Sequence, residues 1–279
     1  YALICAVDNA SNETCSSSVS FVTNQAPTVS TVTGSQATDG TGDVTVSFTM
    51  DDPDDDNTLQ ALVEYSTNGG TSWSKATIST TEAHTTATYG TPRVDNSATY
   101  PVGKSGNYIT SSSGANTVSV KWLSGTDAPT ADVANAKIRV TPYDGVVAGT
   151  AASSSNFALD NVDPSAPVLS SGTSVLGAGA TWDTTITGIK DANTSIKNNG
   201  TQVVASNSSI TWSYNVVLVP GNNTYSFTAV DANGNVSNAT SHTIVYTQGQ
   251  GGSGSSSSGT SSGTMSTSAT TTTMTTTTT

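Results

Sequence analysis

Basic side chains are scarce: eight Lys and Arg stand against twenty Asp and Glu in 279 residues, giving a net charge of −12. All eight lie between Lys75 and Lys197, so neither end carries a cation to hold a phosphate backbone or an anionic membrane. Nucleic acid is excluded as a partner on this ground. Long apolar runs are also missing, and none approaches the roughly 20 residues needed to span a bilayer. No stretch repeats apolar residues at the helical period, which argues against helical domains. No basic, apolar leader precedes Tyr1. A mature or truncated extracellular chain is expected to look like this. Only two histidines, His84 and His242, could serve as imidazole bases. No base, nucleophile and orienting group stand at a recognisable spacing, so an enzyme is not expected.

What is present is a repeated turn. Tyr225-Ser226-Phe227-Thr228-Ala229-Val230 alternates, meets Asp231-Ala232-Asn233-Gly234-Asn235, and is followed by a second alternating run, Ser241 to Tyr246. Cys5-Ala6-Val7-Asp8-Asn9-Ala10-Ser11-Asn12 is a relative of it, with Ser18 to Val22 as the second run. Alternation, turn, alternation predicts a β-hairpin in both places. Cys5 and Cys15 flank the first turn, where antiparallel pairing can bring two Cα atoms within disulfide range. A disulfide in oxidising surroundings fits best; two free thiols are the alternative. A bridge closing so short a loop contributes roughly 2–3 kcal/mol in the chain-entropy treatment. Thr228 and Asn238 hold the matching places in the second copy, so the hairpin does not require it.

Similar segments close the last two strands of bacterial immunoglobulin-like repeats, so each copy is read as the end of a sandwich domain. Residues 1–24 are then the terminal hairpin of an incomplete domain. Gln25-Ala26-Pro27 is a connector, and Val44, Val46, Phe48 and Met50 share one face of a strand at period two. An acidic loop, Asp51 to Asn57, precedes a strand at Leu62 to Tyr65. Ser66 to Trp73 then forms a turn whose Asn68-Gly69-Gly70 supplies positive φ. This turn resembles the Asp-box hairpin of sialidases at Ser66, Gly70 and Trp73, with Asn68 where Asp is usual and Ser72 where Thr is usual. There the motif is structural, which makes Trp73 a core plug rather than a sugar platform. A polar stretch at 80–116 exceeds ordinary loop length and predicts an extra hairpin or a surface excursion.

Residues 27–161, with Arg139-Val140 and Asp144-Gly145 following the alternating Val118, Val120 and Trp122, resemble the fibronectin-type-III-like modules of large bacterial surface proteins. Asp163-Pro164 and Pro167 mark the next linker. Residues 163–248, with Thr185 to Gly188, Ser195 to Thr201 and Ile210 to Trp212, resemble bacterial immunoglobulin-like repeats of adhesins and surface layers. Such resemblances to bacterial and archaeal surface proteins imply spacing and stiffness, not an activity. The tail, 249–279, is Gly/Ser-rich and then almost pure Thr. Its Gly259-x-Ser261-x-Gly263 has neither the strand nor the helix that a nucleophile elbow needs.

Asp52, Asp54 and Asp56 alternate along the acidic loop, a spacing that lets oxygens converge on calcium. Asn57 in place of the turn glycine and Val63 in place of a bidentate Glu exclude a helix-loop-helix site. Asp144 or a neighbouring domain could supply further ligands, and a solvated acidic turn is the alternative. Sequons occur at Asn9, Asn12, Asn193, Asn199, Asn207, Asn222, Asn235 and Asn238, all on expected turns or edges. The Thr-rich tail, Thr270 to Thr279 included, offers dense hydroxyls for O-glycans.

Together these signs predict an all-β chain of tandem immunoglobulin-like and fibronectin-III-like β-sandwich domains. The expected role is an extracellular structural or adhesive surface protein, a spacer or filament subunit, whose partners are other copies of itself, other surface proteins or glycans. The first hairpin or the tail could complete a sheet in a neighbouring subunit. The rival reading is a carbohydrate-binding accessory region of a secreted enzyme, for which Trp182 and Tyr100 are the aromatic candidates.

Overall fold

Alternation of small β-branched and aromatic residues with Thr and Ser gives the chain no way to bury apolar surface except by stacking sheets. A computed structural model describes residues 5–15, 23–54, 58–80, 85–86, 93–103, 109, 114–170 and 174–249. The fold is all-β: among the described residues the one α-helix spans four residues, Ser124–Asp127 (α1).

The chain opens with a hairpin of β1 (Cys5–Val7) and β2 (Glu13–Cys15), in which Cys5 lies directly opposite Cys15. A disulfide joins them across a Cα separation of 3.9 Å.

A first sandwich follows. One sheet has the order β3-β4-β8-β7, from β3 (Thr28–Gln36), β4 (Asp43–Asp51), β7 (Thr85–Thr86) and β8 (Asn116–Leu123). Facing it is β10-β9-β5-β6, with β5 (Gln60–Ser66), β6 (Ser74–Lys75), β9 (Asp132–Tyr143), β10 (Ala152–Ser153), and β11 (Phe157–Asp160) also on β9. Val44, Val46 and Phe48 of β4 lie opposite Trp122, Val120 and Val118 of β8, so the sequence alternation becomes one wall of the core. Ile138 and Val140 of β9 with Ala61 and Val63 of β5 form the other wall.

Within 80–116, Val94 and Val102 bridge antiparallel, with Gly103 N donating to Arg93 O at 2.9 Å, and what departs from a surface excursion is the burial. Val102 and Ile109 are fully buried and bridge Ala61 and Leu59 through paired backbone hydrogen bonds of 2.8–3.2 Å. Lone apolar residues in a Thr/Ser/Gly-rich stretch carry no periodicity, so the sequence hid this contribution to the core. Trp73 also departs: it is half-buried outside the core, with the Arg139 guanidinium 4.5 Å from its ring centroid. Arg139 is held there by Glu64, its cross-strand neighbour, at 2.8 Å. The turn itself is built as its residues suggest, since Ser66 Oγ accepts from Gly70 N at 2.9 Å and Asn68 Oδ1 accepts from Ser72 N at 3.0 Å.

A second sandwich comprises β12 (Val168–Leu169), β14 (Trp182–Ile189) and β17 (Thr211–Leu218) in one sheet. The other sheet runs β13 (Ser174–Ala178), β19 (Thr240–Gly249), β18 (Gly221–Val230), β15 (Thr194–Asn198) and β16 (Thr201–Asn207). β12 pairs antiparallel with β14 and β13 pairs parallel with β19, so the entering chain closes one edge of each sheet. The core gathers Ile186, Ile196, Trp212, Leu218, Phe227 and Tyr246.

One carboxylate fastens the first core. Asp127, at the end of α1, accepts from the indole of fully buried Trp122 at 2.7 Å and from the backbone N–H and hydroxyl of Thr77 at 2.7 and 2.8 Å. Its carbonyl accepts from Tyr65 Oη, whose ring stacks on Trp122 at 4.6 Å. Asp127→Ala strands a buried donor and is expected to cost about 2–4 kcal/mol in denaturant unfolding. In a Trp122→Phe background the same change should cost measurably less, and equal costs would remove the indole bond from the account.

Candidate functional site

Both copies of the repeated turn close by the same hydrogen bonds. Asp8 Oδ1 accepts from Ala10 N and Asn12 N at 2.8 and 3.0 Å, and Oδ2 accepts from Asn12 Nδ2 at 3.0 Å. Asp231 Oδ1 accepts from Asn233 N and Asn235 N at 2.8 and 2.9 Å, and Oδ2 from Asn235 Nδ2 at 2.9 Å. A positive φ completes each turn, 65° at Ser11 and 86° at Gly234. The side-chain amide of Asn12, then the backbone N–H groups of Asn12 and Ala10, hold the Asp8 carboxyl below its ordinary range.

Among the described residues it is the second copy that docks. Asn233 O accepts from Gly40 N at 3.0 Å, in the turn between β3 and β4 of the first sandwich. Asn233 Nδ2 donates to Asp160 Oδ2 and Asn235 Nδ2 to Asp160 O, both at 3.1 Å. Asp160 is fixed in turn by Gln36, whose side chain accepts from its N–H at 2.8 Å and donates to its carbonyl at 2.9 Å. The approach is closer than any side chain allows: a Cβ on Gly234 would stand 2.6 Å from Gly40 N. The linker is also held, by Ser165 N to Asp191 Oδ2 at 2.7 Å and Thr240 Oγ1 to Pro167 O at 2.6 Å. The two sandwiches therefore meet through a bonded joint.

The connector before β3 is clamped by a second set of carboxylates. Gln25 donates to Asp54 from its backbone N–H and, at 3.0 Å, from its amide. Asn24 Nδ2 donates to Asp144 Oδ2 at 2.8 Å, and the N–H groups of Val146 and Val147 donate to Asp144 Oδ1 at 2.7 and 2.6 Å. Pro27 passes so close to Gly149 that a Cβ there would lie 1.8 Å from its carbonyl oxygen. Of the expected calcium residues, Asp52 is buried and accepts from Asp54 N at 2.9 Å, Asp54 holds Gln25, and Asp56 lies outside the described residues. Asp144 thus reaches the same connector as Asp54, but both carboxylates face N–H donors. Among the described residues the one group of close potential ligands is Cys5, Glu13 and Cys15, whose sulfurs are already joined to each other.

The sequons divide by exposure. Asn9, Asn12, Asn193, Asn199, Asn207, Asn222 and Asn238 are exposed. Asn235 is 5% exposed and spends its Nδ2, the atom a glycan would substitute, on Asp160 and Asp231. Its amide thus sits in the joint, a role no sequon pattern reveals. Thr270 and Thr279, with the rest of 250–279, lie outside the described residues, as does His84. His242 is buried in β19, and its Nε2 has no hydrogen-bond partner among the described residues. The aromatic candidates do not form a row: Trp182 lies against Gly177 of the opposite sheet, and Tyr100 stacks on Tyr143 at 4.3 Å.

No known protein family matches the chain, and no curated protein does. Among solved structures it is similar to the fibronectin(III)-like modules of CbhA from Clostridium thermocellum, at 16% identity and a TM-score of 0.35, covering 80% of this chain and 94% of that one. It is also similar to BcpA*(D312A), the major pilin subunit of Bacillus cereus, at 10% identity and a TM-score of 0.30, covering 89% and 78%. At these TM-scores the likeness carries no functional argument.

The connector clamp gives a pH dependence of known sign. Burial pushes the Asp144 carboxyl up, but the hydrogen bonds from Val147, Asn24 and Val146 outweigh it and leave the value below that of an ordinary aspartate. A depressed folded value means that the clamp contributes fully above the unfolded value, near pH 4, and is lost as pH falls through the folded one. Limited proteolysis should therefore show cleavage at 24–27 rising below about pH 4. Asp144→Asn should flatten that rise; an unchanged profile would remove Asp144 from the clamp.

Proposed function

We propose that this chain is an extracellular structural or adhesive surface protein whose sandwiches serve as spacers or as subunits of a filament. The observation that carries the reading is the bonded joint at Gly40, Asp160, Asn233 and Asn235. A freely jointed string of domains needs no such contact, whereas a spacer that must hold a distance does. The exposed disulfide at Cys5 and Cys15 fits an oxidising compartment. The partners we propose are other copies or other surface proteins, joined by strand complementation through residues 1–24 or 249–279. Residues 250–279 lie outside the described residues, so the tail's part rests on its Thr-rich composition alone.

The test is stiffness. Gly234→Val places a side chain where the two backbones meet, at a position whose φ of 86° also disfavours it. Small-angle scattering of the intact chain should show a single preferred separation of the two sandwiches, and the variant a broadened distribution with both cores still folded. A broad distribution in the unaltered protein would overturn the spacer reading.

Calcium at Asp52, Asp54 and Asp56 is a separate proposal resting on their spacing in the sequence. Occupancy would raise the melting temperature over that in chelator. Equal melting in both would end it. The carbohydrate-binding reading has its own measurement, glycan-array binding that disappears with Trp182→Ala.

A further inference from the structure

Three Asn-Gly pairs lie in turns of this chain: Asn68-Gly69, Asn199-Gly200 and Asn233-Gly234. In each, the glycine backbone nitrogen can attack the asparagine Cγ, since no Cβ on the following residue shields that nitrogen. The bond formed is N–Cγ, the bond broken is Cγ–Nδ2, and the side-chain nitrogen leaves as ammonia. Water then opens the five-membered imide at either carbonyl, giving aspartate or isoaspartate and one new carboxylate. No oxidant or co-reactant besides water is needed. The sequence ranks the three pairs equally, but the fold does not.

At Asn68 the reacting groups are committed. Gly69 N donates to Asn135 O at 3.1 Å, Asn68 Oδ1 accepts from Ser72 N at 3.0 Å, and Asn68 Nδ2 donates to Ser72 Oγ at 2.8 Å. At Asn233 the amide donates to Asp160, the carbonyl accepts from Gly40, and Gly234 lies against the backbone of the β3–β4 turn. Neither side chain can rotate toward its glycine without breaking these bonds.

Asn199 is different. It is exposed, its side chain makes no hydrogen bond among the described residues, and Gly200 has open space where a Cβ would be. The two residues form the tight link between β15 and β16, with φ of 47° and 82°, the positive pair of a type I′ turn. The one hydrogen bond at this residue, Asn199 N to Ser226 O at 2.9 Å, uses the nitrogen that takes no part in the reaction. We propose that Asn199 is the deamidation site of the native protein, and that the junction and the Ser66 turn keep Asn233 and Asn68 intact. The site also bears the sequon Asn199-Gly200-Thr201, so a glycan and deamidation compete for the same Nδ2. Isoaspartate would lengthen a two-residue turn by one backbone atom, and the strand it feeds, β16, stands at a sheet edge where the change is tolerated.

The experiment incubates the full-length, unglycosylated chain at mildly alkaline pH and maps peptides by mass spectrometry with isoaspartate labelling. Conversion at Asn199 should exceed that at Asn68 and Asn233 by on the order of tenfold or more, because the latter two must first break several hydrogen bonds. In denaturant all three should convert at similar rates, showing that the fold makes the difference. Asn199→Gln, whose longer side chain does not form the five-membered ring, should abolish the native-state signal while the chain still folds, with a small drop in the unfolding midpoint because Gln tolerates the positive φ less well than Asn. Native conversion at Asn68 or Asn233 that keeps pace with Asn199 overturns the proposal. So does a native Asn199 that stays intact while the denatured chain converts.

Discussion

Carboxylates bonded to N–H groups rather than to cations are what this structure depends on. With eight basic residues against twenty acidic ones, ion pairing cannot neutralise most of the acidic side chains. Pairs such as Arg139 with Glu64 and Lys121 with Asp43 do occur. The remaining burden falls on backbone amides, asparagine and glutamine, tryptophan and threonine. Asp8 and Asp231 close turns, Asp127 fastens the first core, Asp54 and Asp144 clamp the connector, and Asp160 receives the joint. Hydrogen bonds to a charged acceptor are stronger than neutral ones and keep their worth where water is partly excluded. An acidic chain can thus be stiff with few cations.

That chemistry also decides where stiffness lies. Within each sandwich, apolar burial and strand pairing form the core, and in the first one the Asp127 carboxylate fastens it through Trp122 and Thr77. The buried apolar residues form two separate clusters, one in each sandwich, and the joint between them is built from hydrogen bonds and from backbone contact that only glycine permits. The same reasoning explains Pro27 over Gly149 at the connector, where the chain is pressed against the sandwich it enters.

Much of the fold was legible in the sequence because period-two alternation and turn chemistry are local. Val44 to Met50 and Val118 to Trp122 reads as two strands, and their facing register follows once both are buried. What stayed hidden depends on contact between distant segments. Nothing near Val102 or Ile109 announces that they complete the first core. Trp73 reads as a core residue by size, yet Arg139 covers it at the surface. Asn235 reads as a glycan acceptor because its triplet is local, while the carbonyl that occupies its amide lies 75 residues away in sequence. Asp54 was placed on the right loop, but its partner Gln25 belongs to the connector.

The repeated turn shows how small a change converts a closing element into a joint. The bonds that shape it are the same in both copies, so its geometry is set by Asp, by the terminal Asn and by one residue at positive φ. Docking adds two requirements. An amide must stand two residues after the Asp to reach Asp160, and the residue after that must lack a Cβ to admit Gly40. Asn233 and Gly234 meet both, whereas Ala10 and Ser11 meet neither. The first turn therefore keeps the shape and loses the contact. Sequence similarity between the copies reports a shared hairpin, and two of the positions where they differ, Ala10 against Asn233 and Ser11 against Gly234, report which copy holds a neighbour.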